Sequence, residues 1–275
     1  MMHKRLNPLQ ARLMNLNRPF EGNIDFFGGH IQRMTHKQFN QYQPETDHDN
    51  QSQIQFNNMM EGNEIPNIDV LAYYISPHVS QADWGIYFLE RGINWLTSYF
   101  ENRINNDTNG EVFMTMPGAQ KTPQEIHRDL NNVSKKILLR HELGHYAIDY
   151  SLTRCDTINS NDYHQFREER QRQGILVDES ICNANVGRKK LKISNRLPGE
   201  PKIGFDLDMN PFCNEFMDSQ PLAYRGYRQF MTLSYSETCV DALNSIVGVN
   251  FNTTDFNEAI RDSSAMSVPL YVVSI

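Results

Sequence analysis

The stretch Leu138-Leu139-Arg140-His141-Glu142-Leu143-Gly144-His145-Tyr146-Ala147-Ile148 constrains this chain more than any other. Apolar residues recur at Ile126, Leu130, Val133 and Ile137, and the same rhythm continues through His141, His145 and Ile148. The steps of three and four describe one stripe of an α-helix, so both histidines fall on its buried side. Residues four apart stand one above the other on a helix, so the two imidazoles can grip one metal ion. Glu142 follows the first of them and falls beside the ion. Two nitrogens and a carboxylate suit Zn²⁺. Such an ion would bring a water towards neutral pKa, and Glu142 could take its proton as the water attacks a carbonyl. The plain alternative is a pair of core histidines hydrogen-bonded to neighbours. H-E-x-x-H arises by chance in roughly two of a hundred chains of this composition, and its place on an apolar stripe makes that alternative the weaker one.

The helix has a defined start. Thr122-Pro123-Gln124-Glu125 is a capping box with proline at the first helical position, so a helix is expected from Pro123 to about Leu152. The weak helix formers Asn131, Asn132 and Ser134 predict a break within it. A second helix is expected over Ile175–Gly187, with Leu176, Glu179, Cys182 or Asn183, and Val186 on one face. Glu179 is then a carboxylate in an apolar stripe, and a buried carboxylate must meet a cation or protonate. Asp178 points about 100° away on the same helix and is the second choice. Asp162, His164, Glu168 and Glu169 are nearer the metal helix but lie in a polar stretch where water satisfies them.

These residues resemble the zincin metallopeptidases. His141-Glu142-Leu143-Gly144-His145-Tyr146-Ala147-Ile148-Asp149-Tyr150 is similar to the active-site helix of thermolysin-like enzymes, which belong to the gluzincins. The branch with H-E-x-x-H-x-x-G-x-x-H is not matched, because the last two positions here are Ile148 and Ser151. The close match covers about a dozen residues. It implies an α+β zincin-like domain with an active-site helix, a preceding edge strand and a mainly helical C-terminal part. It also implies zinc held by His141, His145 and a glutamate on a following helix, for which Glu179 is the candidate. Where the family pattern has an acid one turn later, this chain has Asn183, which can still accept an imidazole N–H. The gap from His145 to Glu179 is longer than in thermolysin. No histidine follows His164, so the downstream histidine of that enzyme is absent, and Tyr or Arg must stabilise the oxyanion. Tyr224, Arg225, Tyr227 and Arg228 cluster on a helix expected from Pro221 to Leu233, with Tyr224 and Tyr227 as candidate catalytic groups; an amphipathic surface patch is the competing reading.

A looser resemblance, to bacterial secreted-effector zinc peptidases that enter host cells and cleave host signalling kinases, rests on Asn109-Gly110-Glu111-Val112, the metal helix and Ser194-Asn195-Arg196-Leu197-Pro198-Gly199-Glu200. It implies delivery into a host cell by a non-classical route. The expected activity is a zinc-dependent metalloendopeptidase acting on a protein or peptide substrate. The competing classes are a non-catalytic binding protein on a zincin scaffold and a zinc hydrolase of a non-protein amide.

The rest of the chain fills in the frame. Residues 1–66 are rich in Asn, Gln and His and read as a polar, partly disordered extension from which some aromatic residues dock; residues 67–275 form the expected catalytic domain. Ile68–Ile75 is a short apolar run of uncertain type. Ser80 caps an expected helix to about Asn102, with Trp84, Tyr87, Phe88, Leu96 and Phe100 inward. Glu111–Met116 alternates as a strand; the zincin resemblance implies that it is the substrate edge, and an ordinary core hairpin strand is the equal alternative. Residues beyond Leu191 read as loop to Pro221; a helix capped by Ser236, a short helix after Thr254 and a final strand over Val268–Ile275 follow. The net charge of −7 across 275 residues gives no basic footprint for nucleic acid. No run approaches a membrane span, and no conventional secretory signal opens the chain. Cys155, Cys182, Cys213 and Cys239 have no zinc-ribbon spacing and read as reduced, partly buried thiols.

Overall fold

A computed structural model describes residues 30–44, 65–76, 83–108, 122–156, 175–194, 206–220, 222–247, 253–254, 256–257 and 268–274. The fold is mixed α+β, mostly helical with a small sheet. Its first layer is a four-stranded sheet of β1 (His30–Met34), β2 (Ala72–Ile75), β3 (Gly85–Leu89) and β6 (Leu270–Ser274), in the order β1-β6-β3-β2. β1 runs antiparallel to β6 and β2 antiparallel to β3, while β3 and β6 are parallel, with Phe88 opposite Val272. Alternate residues divide between two faces, as the period of two requires. Tyr74, Ile86, Phe88, Leu270 and Val272 face the helices, and Tyr73, Ile75, Tyr87, Leu89 and Val273 form a cluster on the other face.

The second layer holds α2 (Glu90–Thr108), α3 (Pro123–Asp156) and α4 (Ile175–Gly187), followed by α5 (Asn210–Ser219), a 3-10 segment Leu222–Phe230 and α6 (Tyr235–Val247). A small hairpin of β4 (Lys192–Ser194) and β5 (Asp206–Asp208) leads into α5. No described helix is long and apolar enough to cross a membrane.

Several expectations are corrected here. Residues 85–89 are a strand, and the helix begins only at Glu90. Trp84, Tyr87 and Phe88 happen to be spaced as on a helical face, while β3 is buried on both sides and so lacks the alternation that marks a half-exposed strand. α3 runs unbroken through Asn131 and Ser134. Ser134 is buried against α2, where its Oγ accepts from the Thr97 hydroxyl at 3.2 Å, and packing supplies what intrinsic propensity lacks. The stretch read as loop before Pro221 contains β4, β5 and α5. The expected helix after Pro221 is a 3-10 segment. The N-terminal segment contributes β1 and α1 (His36–Gln41) to this domain. Phe39 of α1 stacks on Phe88 with ring centroids 4.1 Å apart. The buried Lys135 of α3 donates to the carbonyls of Phe39, Asn40 and Tyr42, closing the C-terminal end of α1. Ser80 and the strand expected over Glu111–Met116 lie outside the described residues.

The site depends on how α3 meets α4. At Gly144 a Cβ would stand 2.8 Å from Cys182 Sγ and 2.9 Å from Cys182 Cα. Glycine therefore lets the two helix backbones touch at the level of the two histidines. Cys182, Cys213 and Cys239 are free and buried.

Candidate metal centre

α3 opens with the capping box read from its sequence. Glu125 N donates to Thr122 Oγ1 at 3.2 Å, and Thr122 N donates to Glu125 Oε2 at 2.8 Å. Five turns further on, His141, Glu142 and His145 are all buried. Both imidazoles turn Nε2 inward, and the two Nε2 atoms lie 3.2 Å apart. Their Nδ1 atoms turn outward, His141 to Asn183 Oδ1 at 3.0 Å and His145 to Asp178 Oδ2 at 3.2 Å. Acceptors on Nδ1 place its proton there and leave two Nε2 lone pairs facing each other. Only a cation or a proton between them relieves that arrangement.

Glu179 completes a triangle. Its Oε2 is 3.5 Å from His141 Nε2 and 3.4 Å from His145 Nε2. Zinc bonds of about 2.0–2.1 Å in a tetrahedron place neighbouring donors about 3.3 Å apart. The three observed edges match that span, so the residues fit a zinc-sized divalent cation. Asn183 in turn donates from Nδ2 to the Tyr224 carbonyl at 3.1 Å, which fixes its Oδ1 towards His141. Asp178, expected to point away, bonds the outer nitrogen of His145 instead. The outer side of that ring meets α4 with Cys182 as well, so His145, Asp178 and Cys182 form a second close group.

The electrostatics follow from burial without solvent. Burial alone would lower His141, but hydrogen bonds to Asp69 and Glu179 outweigh it and raise the imidazole to about 9. His145 is likewise held well above its usual value against burial, with Cys182 and Glu179 the largest opposing influences. Burial would raise Glu179, yet His145 and His141 hold it below the carboxylate range. Glu142 differs. Burial raises it to about 7, opposed by His141 and His145. Neither of its carboxylate oxygens has a hydrogen-bond partner among the described residues.

Asp69 is the residue the sequence reading missed. It sits in a 3-10 turn, Ile68–Val70, just before β2. Its Oδ1 lies 3.1 Å from His141 Nε2, and Asp69, His141, His145 and Glu179 form one buried donor cluster. The signal was present: an aspartate inside the apolar run Ile68–Ile75 is as costly to bury as Glu179. Of the four residues expected on the downstream segment, only Tyr224 reaches the centre, with its hydroxyl on Asp69 Oδ2 at 2.5 Å. Tyr227 donates to Asp218 Oδ1 at 3.0 Å, Arg228 pairs with Asp218, and Arg225 donates to the Gln220 carbonyl. Asp162, His164, Glu168 and Glu169 lie outside the described residues.

No family model, no curated protein and no solved structure matches this chain.

Proposed function

We propose that this chain is a zinc-dependent hydrolase of the metallopeptidase kind, acting on peptide bonds of a protein or peptide substrate. The observation that carries the reading is the convergence of His141, His145 and Glu179 at zinc-sized separations beside Glu142, whose oxygens have no partner among the described residues. When bound, zinc would acidify a water and polarise the scissile carbonyl. Glu142 is the group that takes the water's proton and returns it to the leaving amine. Asn183 and Asp178 hold the two imidazoles with Nε2 inward. The Tyr224 hydroxyl, which donates to Asp69 Oδ2, is the candidate donor for the oxyanion once that bond is released; the Tyr227 hydroxyl is engaged with Asp218.

The test compares wild type with Glu142→Gln and Glu179→Gln, for zinc content and for cleavage of a proteome-derived peptide library. Wild type should carry about one zinc per chain. Glu142→Gln should keep it and lose about 10²–10⁴-fold in rate, while Glu179→Gln should lose the metal. Cleavage by Glu142→Gln at the wild-type rate would refute the mechanism.

A further inference from the structure

Neither the H-E-x-x-H motif nor the glutamate of α4 calls for a further ligand, yet Asp69 is built into the centre. Its Oδ1 is 3.1 Å from His141 Nε2 and 4.0 Å from His145 Nε2. All four donor atoms lie within 4.8 Å of one another. Against an ideal tetrahedral edge of about 3.3 Å, Asp69 Oδ1 lies near the expected span from His141 and on the longer side towards His145.

The position is enforced. Asp69 Oδ2 accepts from Tyr224, whose hydroxyl accepts in turn from Asn67 Nδ2 at 2.7 Å. Asn67 Oδ1 accepts from Asp69 N at 3.2 Å, capping the turn. Buried Gln220 clips the same turn at both ends, taking Ile68 N at 2.9 Å and donating to the Pro66 carbonyl at 3.1 Å. Apart from Asn67, which caps the turn itself, these partners come from the 3-10 segment and the end of α5, not from the two helices that carry the other ligands.

A second observation separates this centre from a purely structural one. Four protein donors fill a tetrahedral zinc shell, and structural sites are closed in that way. A site that only held metal would have no use for a further carboxylate, yet fully buried Glu142 stands beside it, both oxygens without a partner among the described residues. Its charge interacts with His141, His145, Asp69 and Glu179. The base is in place, and the corner its water would occupy is taken by a residue on a short turn.

We propose that Asp69 is the fourth ligand of the metal in the form described here, closing the coordination shell against the reacting water, and that withdrawal of the Ile68–Val70 turn opens the site. The chain is then a hydrolase whose rate this turn holds low without abolishing it. This rests on the reading of the centre as a zinc hydrolase.

The full chain loaded with Co²⁺ in place of zinc tests it, because Co²⁺ reports its ligands in its visible absorption. Acetohydroxamate, a small bidentate oxygen ligand, is the probe. The wild-type spectrum should hardly change on titration. Asp69→Asn keeps the shape and the turn but removes a good ligand, and should bind the hydroxamate at least about tenfold more tightly. Tyr224→Phe keeps Asp69 and frees its anchored oxygen, and should fall between the two. Equal hydroxamate binding by wild type and both variants would overturn the proposal, since the fourth corner would already be open. Peptide hydrolysis slower in Asp69→Asn than in wild type would overturn this restraint on the rate. A wild-type chain that takes up no Co²⁺ would instead overturn the metal reading on which the proposal stands.

Discussion

Gly144→Ala isolates the contact on which the centre depends. In a helix interior this change should by itself stabilise by about 0.8–1 kcal/mol. Here the added methyl would stand 2.8 Å from Cys182 Sγ, 2.9 Å from its Cα and 3.1 Å from its Cβ. Carbon atoms in contact sit about 3.5–4.0 Å apart, so α3 and α4 must separate by roughly half an ångström or more at this level. Overpacking of that kind costs about 1–3 kcal/mol, which exceeds the propensity gain over most of its range. Because backbone is among the atoms struck, Cys182→Ala should not rescue it. The larger effect should be on metal. His141 and His145 ride on one helix and Glu179 on the other, and ligand distances tolerate only about 0.2 Å. Zinc affinity should therefore fall by about 10–100-fold, the loss typical of disturbing groups that merely orient ligands. Chelator competition measures this, with denaturant unfolding of the metal-free form beside it. Gly187→Ala is the control, since the nearest atoms to its methyl would be the flexible ends of Met231 at 3.2 Å and of Met217 at 3.3 Å. If Gly144→Ala is more stable than wild type and binds zinc as well, the close approach of the helices is not what assembles the centre.

Two further predictions concern charge. His141 is raised to about 9 and is protonated at neutral pH, so metal must displace a proton from the histidine pair. Below that value the displaced proton contributes tenfold per pH unit, so zinc affinity should fall at least about tenfold for each unit lowered between pH 8 and 6; a flat profile by chelator competition would contradict the inward-facing histidine pair. Lys135→Met should leave the three carbonyls at the end of α1 without their donor and cost about 2 kcal/mol. Hydrogen exchange should then show residues 36–41 losing protection ahead of the rest of the fold, and unchanged protection would mean that Lys135 does not anchor α1.

The centre was legible where its geometry is local. H-E-x-x-H on a buried stripe needs only the helical repeat to bring two histidines together, and the capping box needs only four consecutive residues. Glu179 and Asn183 were also within reach, because a carboxylate in an apolar stripe must find a partner and an amide one turn on shares its face. Asp178 shows the limit: its angle on α4 argued against it, but the outer nitrogen of His145 lies where that angle points once the helices dock. Tertiary structure alone decided the rest. β3 imitates a helical face because burial on both sides erases the alternation of a strand. Asp69 is separated from His141 by 72 positions, and no periodicity links the two. It reaches the centre only because the turn before β2 is clipped to Gln220 and Tyr224. Local repeats determine which side chains share a face, whereas the docking of faces, and with it the closure of the fourth corner, depends on contacts between segments distant in the chain.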